Sequence, residues 1–344
     1  MHIAFRVDAS AAIGHGHVMR CLTLATVLRE RGGHISFLCR EEAGHAMTSI
    51  RQKEFDVRVL EHHNRPLSPE EDAAASLVQL GEGIDLLITD HYALDASWER
   101  SMRVAAQHIM VIDDLANRPH DCDLLLDQNM LPNASTRYSG KVPHPCRQLL
   151  GVEYVLLDPV YQKTSQRCAV RKNLQRILIF FGGGDADNMT CHALRELTGM
   201  NVSADVIIGD AHPTPDQVRT LCSANGWQLH VQTRRMAELI AQADLAIGAG
   251  GTSHWERALL GLPAIVIAIA ENQYATTQML AERGACRYLG PANTLPDGAI
   301  RSAVESFRTT PSHLQTMSQA AFNVVPDGRG CYRVAQAIED LLTG

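Results

Sequence analysis

The chain has 344 residues, of which 45% are hydrophobic and 20% are charged, and its formal net charge is -7. This length predicts two domains of ordinary size, and the composition excludes a disordered chain. The negative charge argues against nucleic acid as the main partner, because phosphate backbones favour a basic surface. An anionic small ligand is still compatible, since backbone N–H groups bind anions without net positive charge.

The nine cysteines occur singly, with no C-x-x-C pair. This pattern is typical of reduced thiols in the cytoplasm rather than of disulfides or a zinc site. Arg6 and Asp8 interrupt any signal-peptide core, and the longest apolar run, 262–270, is too short to cross a membrane. We expect a soluble cytoplasmic protein without a membrane partner. The sequence leaves the oligomeric state open, a monomer included.

In the first half of the chain, short apolar runs alternate with amphipathic stretches. The predicted strands are 2–7, 34–39, 56–60, 84–89, 108–112 and 123–126, and the predicted helices are 18–31, a polar one ending near 52, 69–80 and 94–107. This alternation predicts a parallel sheet covered by helices on both faces. Residues 127–172 break the rhythm, and we place the connection between domains around 150–175.

The same alternation begins again at residue 176. The predicted strands are 176–181, 204–208, 228–231, 244–248 and 264–269, the predicted helices are 188–197, 216–225, 236–242, 253–260 and 273–284, and the tail from 295 is helical in two or three pieces. The sequence therefore predicts an α/β fold of two doubly wound, Rossmann-like domains. Because ligands of open parallel sheets bind beyond the carboxyl ends of the strands, we expect the glycine-rich loops of both domains to line one cleft.

A glycine-rich turn, Ile13-Gly14-His15-Gly16-His17, stands between the first strand and the first helix. Gly14 and Gly16 let the turn come close to a ligand and leave the helix N-terminus exposed. A dinucleotide-binding fingerprint would continue with a third glycine where Met19 stands, so NAD binding is weakly supported. His17 is a candidate catalytic residue, and the alternative is a histidine that only caps or hydrogen-bonds the helix start.

A second glycine turn, Gly248–Thr252, leads from a strand into a helix. The N–H groups of Gly251, Thr252 and Ser253 can point at a diphosphate, and Glu256 one helical turn later suits the two hydroxyls of a ribose. The alternative is a tight turn in which Ser253 and Glu256 form a capping box. The three glycines 182–184, also at a strand end, cost stability, so we predict a close approach to a ligand or to the opposite domain there.

Other polar groups follow predicted strands: Asp90-His91-Tyr92, Asp113-Asp114 and Glu271-Asn272-Gln273. These groups are candidates for the ligand site, although some such residues only hold loops in place. A metal site made of His15, His17, Asp90, His91 and Asp113 is conceivable, but no compact ligand spacing supports it.

Taken together, these stretches resemble the UDP-sugar hydrolase family of pseudaminic acid biosynthesis, whose substrate is UDP-2,4-diacetamido-2,4,6-trideoxy-β-L-altropyranose. The stretches that carry the resemblance are 6–10 with 13–17, 89–92, 112–114, 181–185, 248–252 with 255–256, 271–273, and 327–328 with 333–334. They occur in the family's order through nearly the whole chain. The resemblance implies a place in a pathway that supports flagellin glycosylation.

The resemblance also implies the GT-B fold, similar to the glycosyltransferase that makes lipid II. It implies an N-terminal domain over 1–160, a UDP-binding domain over 172–325, and a last helix within 326–344 that crosses back to the N-terminal domain. It makes His17 the catalytic residue and places diphosphate on Gly250–Ser253, ribose on Glu256 and uracil near Arg235 and Met236. The predicted substrate-binding residues are Asp8, Gly14, Gly16, Asp90, His91, Tyr92, Asp113, Gly183, Gly184, Met236, Gly250, Gly251, Thr252, Ser253, Glu256, Asn272 and Gln273.

These residues predict an inverting hydrolase that needs no metal or cofactor. His17 would remove a proton from the attacking water, and the loop N–H groups would stabilise the leaving diphosphate. Whether Asp8, Asp90 or Asp113 orients His17 is left open. The alternatives are a GT-B glycosyltransferase with a UDP-sugar donor and a non-catalytic sugar-nucleotide-binding protein.

Overall fold

The computed structural model describes residues 1–10 and 13–344. The chain divides into two compact units: unit 1 comprises Met1–Leu157 and Arg329–Gly344, and unit 2 comprises Asp158–Gly328. Among the described residues, no helix is both long and apolar enough to span a membrane.

The secondary structure alternates between strands and helices in both units. The strands are β1 His2–Val7, β2 His34–Arg40, β3 Asp56–Leu60, β4 Ile84–Asp90, β5 Ala106–Ile112, β6 Leu124–Asp127, β7 Arg147–Leu150, β8 Arg176–Phe180, β9 Ser203–Ile208, β10 Gln228–Val231, β11 Leu245–Gly248, β12 Ala264–Ala268 and β13 Arg287–Pro291. The helices are α1 Gly16–Glu30, α2 Met47–Gln52, α3 Pro69–Leu80, α4 Ala96–Met102, α5 Pro159–Ser165, α6 Met189–Leu197, α7 Pro215–Asn225, α8 Met236–Gln242, α9 Ser253–Leu259, α10 Tyr274–Glu282, α11 Ala299–Thr309, α12 Pro311–Phe322 and α13 Gly330–Thr343.

Unit 1 contains a parallel sheet in the order β3-β2-β1-β4-β5-β6-β7. The central strands are apolar on both faces because helices cover both sides of the sheet. On one face α1 and α13 pack together on residues such as Phe5 and Phe37, whose stacked rings have centroids 5.0 Å apart. The strand order reverses between β1 and β4, where Val7 pairs with Asp90, so the loops after these strands begin side by side.

Unit 2 contains a parallel sheet in the order β10-β9-β8-β11-β12-β13, which reverses between β8 and β11. Gly248 at the end of β11 pairs with Phe180. A Cβ atom at position 248 would lie 2.0 Å from the carbonyl oxygen of Phe180, so the close contact of the two strands requires glycine. This reversal point is where open sheets of this kind bind ligands.

The predicted α/β class with two doubly wound parallel sheets is confirmed. The predicted helix 94–107 is wrong at its end: α4 stops at Met102, and Ala106 already pairs with Ile84 as part of β5. The predicted irregular region 127–172 contains β7 and α5, and β13 was not predicted. Both missed strands are short and partly exposed edge strands, so neither carries a long apolar run.

Candidate active site

The first candidate site lies at the reversal point of unit 1, where His17 on α1 contacts Asp90 at the end of β4. The Nδ1 atom of His17 is 2.5 Å from Oδ1 of Asp90. Because an ionised carboxylate only accepts hydrogen bonds, Nδ1 carries the hydrogen and donates it. The neutral ring then has its lone pair on Nε2. The His17 side chain is 10% exposed, and the pair therefore has the arrangement of a histidine base with an orienting carboxylate.

Arg20, one turn after His17 on α1, holds the other side of Asp90. Its Nε donates to Oδ2 of Asp90 at 2.6 Å and its Nη2 to Oδ1 at 2.7 Å, a bidentate pair. Burial alone would raise the pKa of Asp90, but the charge of Arg20 and the hydrogen bonds from Arg20 and His17 outweigh burial and place this pKa well below its ordinary range. Asp90 is therefore ionised at neutral pH and can stabilise a positive charge that forms on His17.

Arg20 also approaches the histidine ring directly. Its Nη2 lies 3.2 Å from Nδ1 of His17, and its Nη1 donates to Oδ2 of Asp114 at 3.2 Å. The shorter contact with Asp90 decides where the hydrogen lies, since an unprotonated Nδ1 at 2.5 Å would repel the carboxylate. The ring of Tyr92 meets the ring of His17 edge-on, with centroids 4.6 Å apart. Asp90 and the Tyr92 ring thus both contact the His17 ring.

Asp8, at the end of β1, contacts His91 rather than His17. Its Oδ1 accepts from Arg6 Nη1 at 2.6 Å and from the Arg40 backbone N–H at 2.7 Å, while Oδ2 lies 3.2 Å from His91 Nε2. Burial raises the pKa of Asp8, but the charge of Arg6 and the hydrogen bond from His91 outweigh burial, so the pKa lies well below its ordinary range. Asp8 therefore fixes His91 beside the His17–Asp90 pair.

Asp113 is fully buried among residues of its own loop. Its carboxylate accepts from Ala116 N at 2.7 Å, from Arg118 Nη1 at 2.9 Å and from the Tyr138 hydroxyl at 3.0 Å. This geometry fits a residue that holds its loop, and substrate binding by Asp113 stays a prediction. Of the three carboxylates left open by the sequence, Asp90 is the one that contacts His17.

The turn that precedes α1 contains Gly14, and Gly16 is the first residue of α1. Gly14 has φ +78°, a conformation that favours glycine, and its N–H donates to Ser10 O at 2.8 Å. The side chain of His15 contacts the carbonyl oxygen of Gly44 at 2.9 Å. Within residues 1–10 and 13–344, no group of three or more His, Cys, Asp or Glu side chains is placed to hold a metal ion.

The second candidate site is the loop between β11 and α9 in unit 2. Gly251 has φ +81°, and α9 begins at Ser253 with Thr252 as its N-cap and no side-chain cap. The alternative capping box of Ser253 and Glu256 is therefore absent from this part of the described chain. The backbone N–H groups of Gly251, Thr252 and Ser253 donate to no acceptor in the ranges that the structure describes. Three unpaired N–H groups on one turn are suited to an anion.

Gln273, predicted as a substrate-binding residue, supports this loop. Its Oε1 accepts from the N–H of Gly250 and from that of Ile269, each at 3.2 Å. Asn272 precedes it in the 3-10 helix Glu271–Gln273. Gln273 thereby fixes the peptide that leads into the glycine turn, and contact of Asn272 and Gln273 with substrate stays a prediction.

Glu256 on α9 is influenced by a residue that the sequence did not indicate. The hydroxyl of Tyr161, a buried side chain on α5, favours the ionised form of the Glu256 carboxylate. Burial raises the pKa of Glu256 above its ordinary value, and the Tyr161 hydroxyl and the charge of Arg257 oppose this rise only in part. A small, partly open pocket with room for about one water molecule lies next to Glu256. It is lined by Leu178, Phe180, Met236, Ile240, Ala246, Ile247, Ser253, Glu256 and Arg257.

The glycines after β8 lie beside the loop that follows β9. Gly182 has φ +101°, and a Cβ atom at Gly209 would lie 2.3 Å from the carbonyl oxygen of Gly183. The close backbone approach observed here is thus to the neighbouring loop of unit 2. Asp185 accepts from the N–H groups of Met189 and Thr190 at 2.9 and 2.8 Å, which orders the start of α6. Contact of Gly183 and Gly184 with substrate stays a prediction.

Sequence analysis missed three residues of these sites: Arg20, Tyr161 and Arg257. Arg20 carried a usable signal, because a residue three positions after His17 lies on the same helix face. Tyr161 lies in a stretch that was interpreted as irregular. Arg257 is adjacent to a predicted ribose-binding residue, but its partners depend on how α9 packs in the core.

The chain is similar to several known proteins. Residues 172–329 match the model of the glycosyltransferase family 28 C-terminal domain. The chain is 25% identical over 288 residues to the UDP-2,4-diacetamido-2,4,6-trideoxy-beta-L-altropyranose hydrolase of Campylobacter jejuni, covering 83% of this chain and 97% of that protein. The predicted resemblance is confirmed. The match spans nearly the whole length of that hydrolase.

Two further similarities extend over the whole chain. The chain is 24% identical over 348 residues to the spore coat polysaccharide biosynthesis protein SpsG of Bacillus subtilis, covering 99% of this chain and 98% of that protein. The crystal structure of Acinetobacter baumannii MurG superposes with a TM-score of 0.67 at 14% identity, covering 98% of this chain and 99% of that chain. The fold is therefore GT-B, as the sequence predicted.

Proposed function

We propose that this protein hydrolyses a UDP-sugar at the anomeric C–O bond and releases free sugar and UDP. The His17–Asp90 pair carries the proposal, because it presents a histidine base at the ligand-binding edge of a GT-B sheet. Similarity to the Campylobacter jejuni hydrolase favours UDP-2,4-diacetamido-2,4,6-trideoxy-β-L-altropyranose as the substrate and a place in pseudaminic acid biosynthesis.

In the proposed reaction, a water molecule attacks the anomeric carbon from the face opposite UDP. The proton of this water passes to Nε2 of His17, and the electron pair of the breaking C–O bond goes to the diphosphate oxygen. Asp90 stabilises the positive charge that forms on the imidazole. The reaction inverts the configuration at the anomeric carbon. A strong general acid is unnecessary, since the last proton of a phosphate has a pKa of roughly 6 and UDP is a fair leaving group.

The nucleotide is assigned to unit 2. The unpaired N–H groups of Gly251, Thr252 and Ser253 bind the diphosphate and stabilise the charge that it gains as the bond breaks. The carboxylate of Glu256 accepts from the ribose hydroxyls, and the uracil ring is assigned to the backbone near Met236, a residue that borders the same small pocket as Glu256. The match of this unit to the glycosyltransferase family 28 C-terminal domain supports this assignment.

The experiment that tests the reaction uses this UDP-sugar alone in oxygen-18 water, followed by phosphorus and proton NMR. We expect release of UDP without any acceptor, oxygen-18 on the anomeric carbon of the first sugar formed, unlabelled UDP, and inverted configuration. Oxygen-18 in UDP would show cleavage at phosphorus and contradict the mechanism. Turnover only after addition of a hydroxyl acceptor would indicate a glycosyltransferase, and binding without turnover a sugar-nucleotide-binding protein.

Replacing Glu256 by glutamine tests the ribose contact. We expect UDP affinity to fall about 10- to 100-fold, because a hydrogen bond to a charged acceptor contributes about 1.5–3 kcal/mol. Calorimetry of UDP and 2′,3′-dideoxy-UDP separates this contact from a general disturbance: the parent should prefer UDP, and the variant should bind both alike. Tyr161→Phe, which keeps the carboxylate, serves as the matched control with a smaller loss. Parental UDP affinity in Glu256→Gln would make the ribose assignment wrong.

A further inference from the structure

Arg257 on α9 is a buried cation for which the mechanism above has no role. It is 4% exposed, and it forms no ion pair with any residue that the structure describes. Its Nη2 donates to the carbonyl oxygen of Ala249 at 2.9 Å and lies 3.2 Å from Nδ1 of His254, which is itself buried. Its Nε has no hydrogen-bond partner within the described ranges. Buried charges are normally paired, so this position calls for an explanation.

Unit 2 offers a direct comparison in Arg171, which is also buried without a carboxylate partner. The guanidinium of Arg171 is surrounded by backbone carbonyl oxygens, which satisfy its donors at the ends of α8 and α9. These carbonyl groups belong to Ala169, Ile240, Ala241, Ala243 and Leu260. The role of Arg171 is therefore structural. Arg257 lacks such a set of acceptors, and the Glu256 carboxylate acts on its charge without forming an ion pair with it among the described residues.

The position of Arg257 links it to the glycine turn. The carbonyl oxygen that it binds belongs to Ala249, and the N–H of the same peptide, that of Gly250, donates to Gln273. The peptide is thus held at both ends. A Cβ atom at Gly248 would lie 3.4 Å from Nη1, so the guanidinium lies directly behind the strand end that leads into the turn. Arg257 also borders the pocket next to Ser253 and Glu256.

We propose that Arg257 is a positioning residue and fixed counter-charge for the diphosphate of a nucleoside diphosphate bound at this turn. It acts in two ways without touching the ligand. Its hydrogen bond fixes the Ala249–Gly250 peptide, and its buried positive charge, which forms no ion pair in the described part of the chain, raises the electrostatic potential at the unpaired N–H groups. In a buried site such a charge is screened less than a surface lysine would be. This inference rests on the proposed binding of UDP to unit 2.

The test measures affinities of UDP, UMP and uridine by calorimetry for the parent, Arg257→Met and Arg257→Lys. Methionine has a similar length, and replacement of a buried charge by an apolar side chain is often tolerated. We expect Arg257→Met to lose at least tenfold in UDP affinity, less in UMP affinity, and less than twofold in uridine affinity. Arg257→Lys, which keeps the charge, should bind UDP within about threefold of the parent.

Other outcomes of this test would overturn either the role of Arg257 or the proposed function. Equal loss of affinity for all three ligands, together with a lower Tm, would show a purely structural role and overturn the proposal. Should Arg257→Met fail to fold, Arg257→Gln provides the same comparison, and failure of every uncharged variant to fold would likewise overturn it. A parent that binds UDP no more tightly than uridine would contradict the proposed function itself.

Discussion

Replacement of His17 by asparagine is expected to lower kcat by about 10²–10⁴-fold, the contribution of a positioned general base. The asparagine amide can still donate to Asp90, so the variant keeps the hydrogen bond but loses the atom that accepts the proton. UDP affinity should change by less than twofold, because the proposed contacts to UDP all belong to unit 2. The measurement combines steady-state release of UDP with calorimetry of UDP binding.

The matched control for this prediction is His15→Asn. His15 lies in the same turn, but its side chain contacts the carbonyl oxygen of Gly44 instead of Asp90. We expect its kcat to stay within about threefold of the parent, since the variant leaves the proposed base intact. Near-parental turnover of His17→Asn would remove His17 from the mechanism. Equal losses in both variants would favour the alternative in which the two histidines act together as ligands.

Much of the first site was predictable from the sequence. Alternation of strands and helices predicts the parallel sheet, and candidate residues at strand ends follow from the position of ligands in such sheets. The sequence could not select Asp90 over Asp8 and Asp113, because all three follow strands close to one another in the same sheet. The choice depends on side-chain contacts: Arg6 and His91 bind Asp8, and a loop encloses Asp113.

The second site shows a different limit. The pattern of Ser253 and Glu256 satisfies the spacing of a capping box, yet α9 begins one residue too early for that box to form, with Thr252 instead of Ser253 as its N-cap. A shift of one residue in a helix start leaves no trace in the sequence pattern. Tyr161 was missed for a related reason, because α5 has only seven residues and lies within a stretch of prolines and polar residues.

The second large effect is expected for Asp90→Asn, in which kcat should fall by at least 100-fold. The asparagine amide can donate to Nδ1 of His17 and so favours the ring form with hydrogen on Nε2. In that form Nε2 cannot accept a proton from water. The loss of negative charge also removes the partner that stabilises the imidazolium. Nitrogen-15 NMR of the imidazole distinguishes the two ring forms, and kcat and UDP affinity are measured on the same preparations.

Asp114→Asn is the matched control, because Asp114 shares the partner Arg20 but does not contact His17. Both variants remove a carboxylate charge beside the buried Arg20 and therefore lower the free energy of unfolding, by up to about 3–5 kcal/mol where the ion pair is fully buried. Thermal unfolding is therefore recorded with each assay. We expect Asp114→Asn to keep kcat within about fivefold of the parent. Suppose that Asp90→Asn had the same kcat as Asp114→Asn while the His17 imidazole of the Asp90 variant carried hydrogen on Nε2. Proton acceptance by Nε2 could then not be the catalytic step. The base would then have to be sought elsewhere in unit 1, for example at His91, which contacts Asp8.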